Sequence, residues 1–477
     1  MQVRIYRGTH QIGGCVTEVK TNTSRIIIDM GEELPSAIRM EHSPLEIDGV
    51  TNGKPDCNAV LITHYHGDHV GMFERILPQI PVYMGKVAKQ IFAVVQSALK
   101  SKLNKGNPDK VRTFNEYIIG KPLSFGDIKV TPFTIDHSAF DAYMLLIEAD
   151  SKKILHTGDF RMHGARGGKM PAVFEKYCKD IDVLITEGTM LSRTDEKVVT
   201  EHELGAQADK LLRKNKYVFA LCSSTNIDTI AELYNAALKT DKPFIICENE
   251  FQGEILKIVT QNTTSSFYDF NRRKIYVYGK NLHGLMAEKG FFFLGRTNNV
   301  TQKAIANFPN NLFIYSMWNG YLDKRHPAFD ECKNDFINSA IHGGSKMVYL
   351  HTSGHAGIDE IKKVYVWTIE HIFPEGEKVP SDWVDMVANG DKELAQDYRD
   401  RYVHKLGNLT ITGFNSKLSN MSFERKKERK NDDGNYIGYK NGLGINAEIA
   451  QKDSWTIKDI TERTERLVNK LLAKYKL

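Results

Sequence analysis

The stretch AVLITHYHGDHVG, residues 59–71, places four residues of metal-binding type directly after a short apolar strand. His64 and His66 are alternate residues, so in an extended loop their imidazoles point the same way and can meet one cation. Asp68 and His69 follow the next turn and can reach a second cation. Nitrogen and carboxylate ligands without thiolate suit zinc or manganese. The spacing therefore predicts a metal site at the end of a strand.

Two further ligands are expected from other strand ends. His137 lies in FTIDHSAFD and Asp159 lies in ILHTGDF, and each follows a predicted strand. A carboxylate such as Asp159 can bridge two cations about 3.5–4 Å apart, the spacing of two-metal hydrolases. The alternative is a set of unrelated surface or core histidines. The crowding of ligand types between His64 and His69 favours the metal site.

Composition is that of a globular protein with more than one domain. The 477 residues are 41% hydrophobic and 26% charged, and the net charge of +5 gives no global argument for nucleic-acid binding, although a local basic patch stays open. The N-terminus lacks a signal pattern, and no apolar run approaches the ~20 residues of a membrane helix. The lack of such a run predicts that the protein has no membrane partner. Six scattered cysteines form no CxxC pair, which predicts a cytoplasmic protein without a disulfide framework.

The pattern of elements changes twice along the chain. The first part alternates short apolar runs with turns, and from about residue 200 amphipathic helices alternate with buried strands. After residue 366 the sequence becomes polar and rich in Asn. The expected segments are a core over 1–196, an inserted α/β unit over 197–340, a truncated return to the core over 341–364, and a separate domain over 365–477.

THYHGDH resembles the HxHxDH motif of the metallo-β-lactamase superfamily, whose fold is an αβ/βα sandwich with metals at one sheet edge. The resemblance implies two Zn²⁺ or Mn²⁺ ions and a bound water of lowered pKa as the nucleophile. It assigns the residues of this chain as follows: His64, His66 and His137 on one metal, Asp68 and His69 on the other, and Asp159 as the bridge.

DVLITEGT and HTSGHA, with an α/β unit between them, resemble the β-CASP nucleases, the group that includes ribonuclease J. The resemblance implies that Glu187 supports the site and that His355 contacts the scissile phosphate or assists the leaving group. It also implies that the inserted unit is a lid over a nucleic-acid channel. The family normally continues past SGHA to a further histidine ligand of the second metal, and the strand bearing it does not appear in this sequence.

CSSTNID, residues 222–228, offers small hydroxyl residues between a strand and a helix N-terminus. Ser223, Ser224 and Thr225 suit a phosphate cradle. A helix cap built by Ser224 or Thr225 is an equally good interpretation.

A second constellation lies in TIEHIFP and LGNLTITGFNSKLSN, residues 368–374 and 406–420. Their order is that of a ββα-metal finger, in which His371 is the base, Glu370 and Asn415 are oxygen ligands for Mg²⁺, and Asn408 pins the loop. With FERKK and TERTERL, the stretch resembles HNH (His-Me finger) nucleases, and in particular the C-terminal domain of GmrSD-type restriction enzymes, over about residues 366–477. RKKERK (425–430) suits either DNA phosphates or a solvated face.

These patterns together predict an α/β protein: a metallo-β-lactamase sandwich with an inserted β-CASP lid, followed by a small α+β HNH domain. The first function hypothesis is two-metal hydrolysis of RNA by a cytoplasmic protein, with a homodimer as the expected assembly. The alternatives are a Mg²⁺-dependent DNA endonuclease acting through His371, a small-molecule metallo-hydrolase, and an inactive fusion. The abrupt change near residue 365 suggests a join of two genes, and a strand at 364–372 completing the first sheet would contradict it.

Overall fold

The computed structural model describes the chain except residues 10, 35–44, 179–180, 194–197, 365–367, 413–417, 431–433, 435 and 476–477. The chain divides into two compact units, Met1–Ile361 and Lys362–Leu477. The four sequence-based segments remain predictions.

Two sheets form the core of the first unit. The six-stranded sheet has the order β1 to β6. Its strands are β1 Gln2–Arg7, β2 Val16–Lys20, β3 Arg25–Ile28, β4 Ala59–Leu61, β5 Val82–Met84 and β6 Asn115–Glu116. The five-stranded sheet has the order β11-β10-β9-β8-β7. Its strands are β7 Leu123–Phe125, β8 Ile128–Thr134, β9 Tyr143–Ala149, β10 Lys152–His156 and β11 Val183–Ile185.

The apolar run of β3 is explained by burial on both faces. Ile26 and Ile28 pack with Val130, Leu145 and other residues of the five-stranded sheet. Ile27 instead joins the cluster that contains helix residues. Alternate residues of a strand face opposite sides, so a strand covered on both faces must be apolar throughout. The predicted sandwich is therefore present.

The lid of the first unit is a parallel sheet of six strands in the order β14-β13-β15-β12-β16-β17. The strands are β12 Tyr217–Cys222, β13 Phe244–Ile246, β14 Ile275–Val277, β15 Phe291–Gly295, β16 Leu312–Ser316 and β17 Lys346–Tyr349. The central strand β15, FFFLG, is wholly buried. Helices supply the crossovers that parallel strands require.

Helices lie between the strands along the chain of the first unit, as in other α/β proteins. They are α1 Gly67–Val70, α2 Lys86–Leu103, α3 Pro108–Arg112, α4 Met170–Tyr177, α5 Glu201–Lys214, α6 Ile227–Lys239, α7 Glu254–Gln261, α8 His283–Lys289, α9 Asn299–Asn307 and α10 Glu331–His342. A further helix, α11 Ile358–Val364, begins in the first unit and ends in the second. A capping box at Thr200 and Glu203 fixes the start of α5.

The second unit is a small α+β domain. Strands β18 Thr368–His371 and β19 Leu409–Thr412 form an antiparallel sheet of their own, as the hypothesis of a join requires. The helices are α12 Ser381–Ala388, α13 Lys392–Tyr402 and the stretches Phe423–Glu428, Ala447–Ala450 and Ile457–Tyr475. Trp383 and Trp455 lie fully buried in one apolar cluster with Phe423 and Tyr439.

None of the described helices is long and apolar enough to cross a membrane. All six cysteines are free thiols.

Candidate metal centre and active-site cavity

Strand ends of both core sheets bring the predicted ligands together. The loop after β4 carries His64 and His66, and the loop after β8 carries His137. Asp159 follows β10 and Glu187 follows β11. Sites form at such edges because several strands end there side by side while their loops stay free to carry polar groups.

Three overlapping groups of donor atoms lie at this edge, each with its atoms within 4.8 Å of one another. The groups are His64, His66 and His137; His64, His69 and Asp159; and Asp159, Glu187 and His355. Because His64 and Asp159 are each shared between two groups, the donors form one continuous centre.

The donor set fits a metal. The Nε2 atom of His64 is buried and has no hydrogen-bond partner among the described residues. Burial, reinforced by the neighbouring imidazoles, holds the pKa of His64 and His137 well below the usual histidine value. Burial also lowers the pKa of His66 to about 4. These imidazoles are therefore neutral at pH 7, the form that binds a metal.

Asp29 orients this centre from behind. Its carboxylate accepts the Thr63 amide at 2.7 Å and lies 2.7 Å from His69 Nδ1, which leaves His69 Nε2 directed at Asp159 at 3.2 Å. A carboxylate on the far nitrogen of a ligating histidine fixes the ring and raises its basicity. Although burial opposes the charge, Asp159 and Asp29 raise the pKa of His69 well above its usual value.

The backbone of the metal-binding loop is held at close range. Cys15 N donates to Asp68 O at 3.0 Å and Met30 N donates to His69 O at 2.8 Å. A Cβ on Gly31 would come within 1.8 Å of the Asp68 carbonyl oxygen, so only glycine fits there. Asp68 itself belongs to none of the three donor groups of the described chain. Its half-buried side chain lines the adjoining cavity, where its role stays a prediction.

Glu187 and His355 form a pair beside the centre. His355 Nδ1 lies 2.9 Å from Glu187 Oε2, and the other carboxylate oxygen accepts the Phe160 amide at 2.9 Å. Burial lowers the pKa of His355, but the charges of Glu187 and Asp159 outweigh it and raise that pKa to about 9. The imidazole is thus positively charged at pH 7, which suits contact with an anionic phosphate.

The residues after Asp159 clamp the loop that carries His355. Arg161 Nη1 and His163 Nε2 both contact the Ser353 carbonyl oxygen, each at 2.9 Å. His163 Nδ1 lies 3.0 Å from a carboxylate oxygen of Glu360, which also accepts the amides of Met162 and Gly357 at 3.0 Å. His137 Nδ1 contacts the Gly354 carbonyl at 2.7 Å. The loop is therefore fastened to the metal-binding edge along its length.

A buried charge network joins the core to the lid. The Arg161 guanidinium, fully buried, lies 2.9 Å from both Glu201 of α5 and Asp228 of α6. Tyr268 donates to the other oxygen of Asp228 at 2.6 Å. Burial raises the pKa of Glu201 to about 7 because Arg161 is shared with Asp228 and only partly offsets the cost of desolvation.

A cavity of about 1480 Å³ lies between the metal-binding edge and the lid. Its floor includes His66, Asp159 and His355, and its opposite wall carries aromatic and polar side chains of the lid. Among the wall residues are Trp318, Tyr321, Phe329, Tyr349, Lys333 and Arg193. This volume exceeds the roughly 300–1,000 Å³ of a typical small-molecule pocket.

The predicted phosphate cradle lies partly on this cavity. Ser223 and Thr225 line it, with their hydroxyls 2.8 Å apart, and Ser224 is half-buried beside them. The cap of α6 is neither Ser224 nor Thr225 but Asn226, which accepts the Thr229 amide. The predicted cap was therefore wrong: Asn226, which directly precedes the helix, caps it in place of Ser224 or Thr225.

In the second unit, the structure separates Glu370 from the surface. Glu370 is buried, and its Oε1 accepts Lys426 Nζ at 2.5 Å and the Tyr439 hydroxyl at 3.2 Å. Asn408 donates to the carbonyls of Phe373 and Val403 and accepts the Phe373 amide. Asn415 lies outside the described residues. The metal-binding roles of Glu370 and Asn415 stay predictions.

His371 has two partners that the sequence reasoning missed. Its Nε2 lies 3.0 Å from His404 Nδ1, and its Nδ1 lies 3.2 Å from Glu375 Oε2. Burial and His404 lower the pKa of His371, while Glu375 opposes the shift. Glu375 lies four residues after His371, and His404 lies four residues before Asn408. Their closeness in sequence to His371 and Asn408 is the feature that could have identified both residues.

Comparison with known proteins agrees with this architecture. The family model of the beta-lactamase superfamily domain matches residues 24–219, and that of the C-terminal domain of GmrSD restriction endonucleases matches residues 323–470. The chain is therefore similar to the beta-lactamase superfamily domain in its first part and to the GmrSD C-terminal domain in its last part. The second match begins earlier than the predicted start near residue 366.

More particularly, the chain is similar to several proteins named ribonuclease J. Ribonuclease J of Helicobacter pylori is 22% identical over 379 residues, which span 74% of this chain and 52% of that protein. Ribonuclease J 1 of Streptococcus pyogenes serotype M3 is 23% identical, spanning 74% of this chain and 64% of that protein. The probable RNase MJ4 of Methanocaldococcus jannaschii is 29% identical over 39% of this chain and 45% of its own length. This chain thus spans about half the length of the first relative.

A solved structure shares the fold. It is the crystal structure of a protein of unknown function from Enterococcus faecalis V583, with a TM-score of 0.59 and 21% identity. The match covers 76% of this chain and 90% of the other. The predicted fold class and family resemblance are confirmed.

Proposed function

We propose that the first unit hydrolyses phosphodiester bonds in RNA, using two divalent cations held between His64 and Asp159. The observation that carries the proposal is the continuous set of donor atoms on the floor of a large cavity. The names of the ribonuclease J relatives support RNA as the substrate. Bound cations supply a water of lowered pKa and charge stabilisation for the phosphate.

The chain's own residues then have distinct tasks. Asp29 fixes the ring of His69, so that its free nitrogen and Asp159 meet at one point. Glu187 engages Nδ1 of His355, which leaves Nε2 for a phosphate oxygen or the leaving group. The clamp from Arg161 and His163 holds the His355 loop in that position. The lid covers the bound RNA and excludes bulk water from the cavity. Ser223 and Thr225, on the cavity wall, contact phosphates of the RNA.

A second activity is carried by the other unit. The match to GmrSD restriction endonucleases supports cleavage of DNA through the site around His371. A cytoplasmic location and a homodimer belong to the same proposal. The cytoplasmic location rests on the pattern of scattered cysteines. The homodimer is the assembly predicted from the sequence.

The test is a paired cleavage assay on 5′-phosphorylated single-stranded RNA and on duplex DNA. The wild type is compared with Asp159→Asn and with His371→Ala, in Zn²⁺, Mn²⁺ or Mg²⁺. Asp159→Asn is expected to abolish RNA cleavage, and His371→Ala is expected to leave it within twofold of wild type. RNA cleavage that survives Asp159→Asn would overturn the assignment of the first unit.

A further inference from the structure

Glu370, the magnesium ligand predicted from the sequence, is buried and already paired with another side chain in the second unit. Glu370 is 1% exposed, and its carboxylate is taken up by Lys426, whose side chain is equally buried. Lys426 also donates to the carbonyls of His371 and Ile372, at 2.8 and 3.3 Å, so it is fixed on three sides. A buried ion pair is costly to break because each partner would remain as an uncompensated charge. Glu370 therefore does not fit a hydrated Mg²⁺ ion.

A different donor set lies at the surface of the same unit. His371, Glu375 and His404 each place one ligand atom within 4.8 Å of the others. His371 lies between the other two: its Nε2 is 3.0 Å from His404 Nδ1, and its other ring nitrogen, Nδ1, is 3.2 Å from Glu375 Oε2. Glu375 Oε1 is 3.9 Å from His404 Nε2, which closes the triangle of donors. No other cluster of three such residues occurs among the described residues of this unit. The side chains of Glu375 and His404 are 58% and 67% exposed, so both can adjust to an incoming ion.

The backbone beneath these side chains is built to keep them together. Asn408, fully buried, exchanges hydrogen bonds with Phe373, which lies between His371 and Glu375 in the chain. The same amide donates to the carbonyl of Val403, next to His404, at 2.8 Å. One buried side chain thus holds the segments that carry all three donors. Rigid support of this kind is what a metal site requires beyond the ligands themselves.

We infer that His371, Glu375 and His404 form a transition-metal site, and that this site takes the place of a magnesium site at Glu370. Two imidazole nitrogens and one carboxylate suit Zn²⁺, Mn²⁺ or Co²⁺, whereas Mg²⁺ prefers oxygen ligands and keeps several waters. Three protein donors leave a coordination position open, as catalytic zinc sites do.

The experiment measures bound metal on the full chain, so it is independent of any cleavage activity. Metal-free protein is equilibrated separately with Zn²⁺, Co²⁺ and Mg²⁺, and the ions bound per chain are counted after dialysis. The variants are His404→Ala and Glu375→Gln, both at exposed positions. The matched controls are His342→Ala and Glu393→Gln, which replace exposed residues outside both donor centres.

We expect His404→Ala to bind one Zn²⁺ fewer than wild type, and Glu375→Gln to bind that ion at least tenfold more weakly. The visible Co²⁺ spectrum should lose one component in both variants, and the controls should match wild type. An equal ion count in wild type and in both variants would overturn the inference. A difference seen with Mg²⁺ but not with Zn²⁺ would overturn the class of metal. Neither result bears on RNA hydrolysis by the first unit.

Discussion

Glu360 offers the sharpest test of how the His355 loop is held. Its carboxylate accepts the amides of Met162 and Gly357 at 3.0 Å and contacts His163 Nδ1 at 3.0 Å. The side chain is 14% exposed, so water replaces these partners poorly. Glu360→Ala removes a group that contacts both Met162 and Gly357, without removing any predicted metal ligand.

The expected loss follows from the number of contacts. A hydrogen bond to a charged group contributes about 1.5–3 kcal/mol. Losing the two hydrogen bonds to backbone amides therefore destabilises the observed position of the His355 loop by about 3 kcal/mol, at the lower end of that range. Since each 1.36 kcal/mol in a barrier is tenfold in rate, kcat for RNA cleavage should fall about a hundredfold. Glu360→Gln keeps one acceptor oxygen and should lose about tenfold.

The assay is steady-state cleavage of 5′-phosphorylated RNA, with bound metal counted on the same samples. Glu175→Ala, an exposed position on α4, is the control for loss of a carboxylate. The clamp acts on His355 and not on the metals, so metal content should equal that of wild type while kcat falls. Unchanged kcat in Glu360→Ala, or metal loss in proportion to activity, would refute the clamp.

Three further predictions concern stability and the metal centre. Lys426→Met should lower the free energy of unfolding of the second unit by about 3–5 kcal/mol in urea titrations, because Glu370 is left buried without its partner. Adding Glu370→Gln should restore part of that loss, and an additive double variant would contradict the pairing. The pKa of Glu201, raised by burial to about 7, means that the folded state binds the extra proton. The contribution of Glu201 to the stability of the first unit should therefore fall as pH rises from about 4.5 to 7. Glu201→Gln should flatten this slope, and an unchanged slope would show that another group causes it. His64→Ala should reduce bound Zn²⁺ and abolish RNA cleavage, and full metal content in that variant would argue against the shared ligand.

Local patterns in the sequence predicted most of the elements well. The apolar residues of KVAKQIFAVVQSALKSKL recur with the period of a helix, and this run coincides with α2 (Lys86–Leu103). TIKDITERTERLVNKLLAKY has the same helical pattern and begins one residue before the final helix, Ile457–Tyr475. The resemblance to β-CASP nucleases and to the GmrSD C-terminal domain is confirmed by the family comparisons. Short edge strands were missed, such as β6 (Asn115–Glu116), because two exposed polar residues carry no hydrophobic period.

Long-range partners in the site could not be read from the chain. Asp29 lies beyond the strand RIII and reaches His69 only because β3 and β4 are neighbours in the sheet. His163 belongs to none of the motifs identified in the sequence, yet it contacts Ser353 and Glu360 far along the chain. The pairing of Lys426 with Glu370 likewise depends on folding of the second unit. Sequence patterns identify ligand types at strand ends, whereas their supporting contacts are set by tertiary packing.

The central claim is that a two-metal centre in the first unit cleaves RNA. Its most direct test is to add Mn²⁺ back to the metal-free chain while measuring cleavage of 5′-phosphorylated RNA. The account predicts that cleavage rises with bound metal, is absent in Asp159→Asn at every loading, and follows the same curve in His371→Ala. No cleavage at any loading, or cleavage lost in His371→Ala and kept in Asp159→Asn, would contradict it.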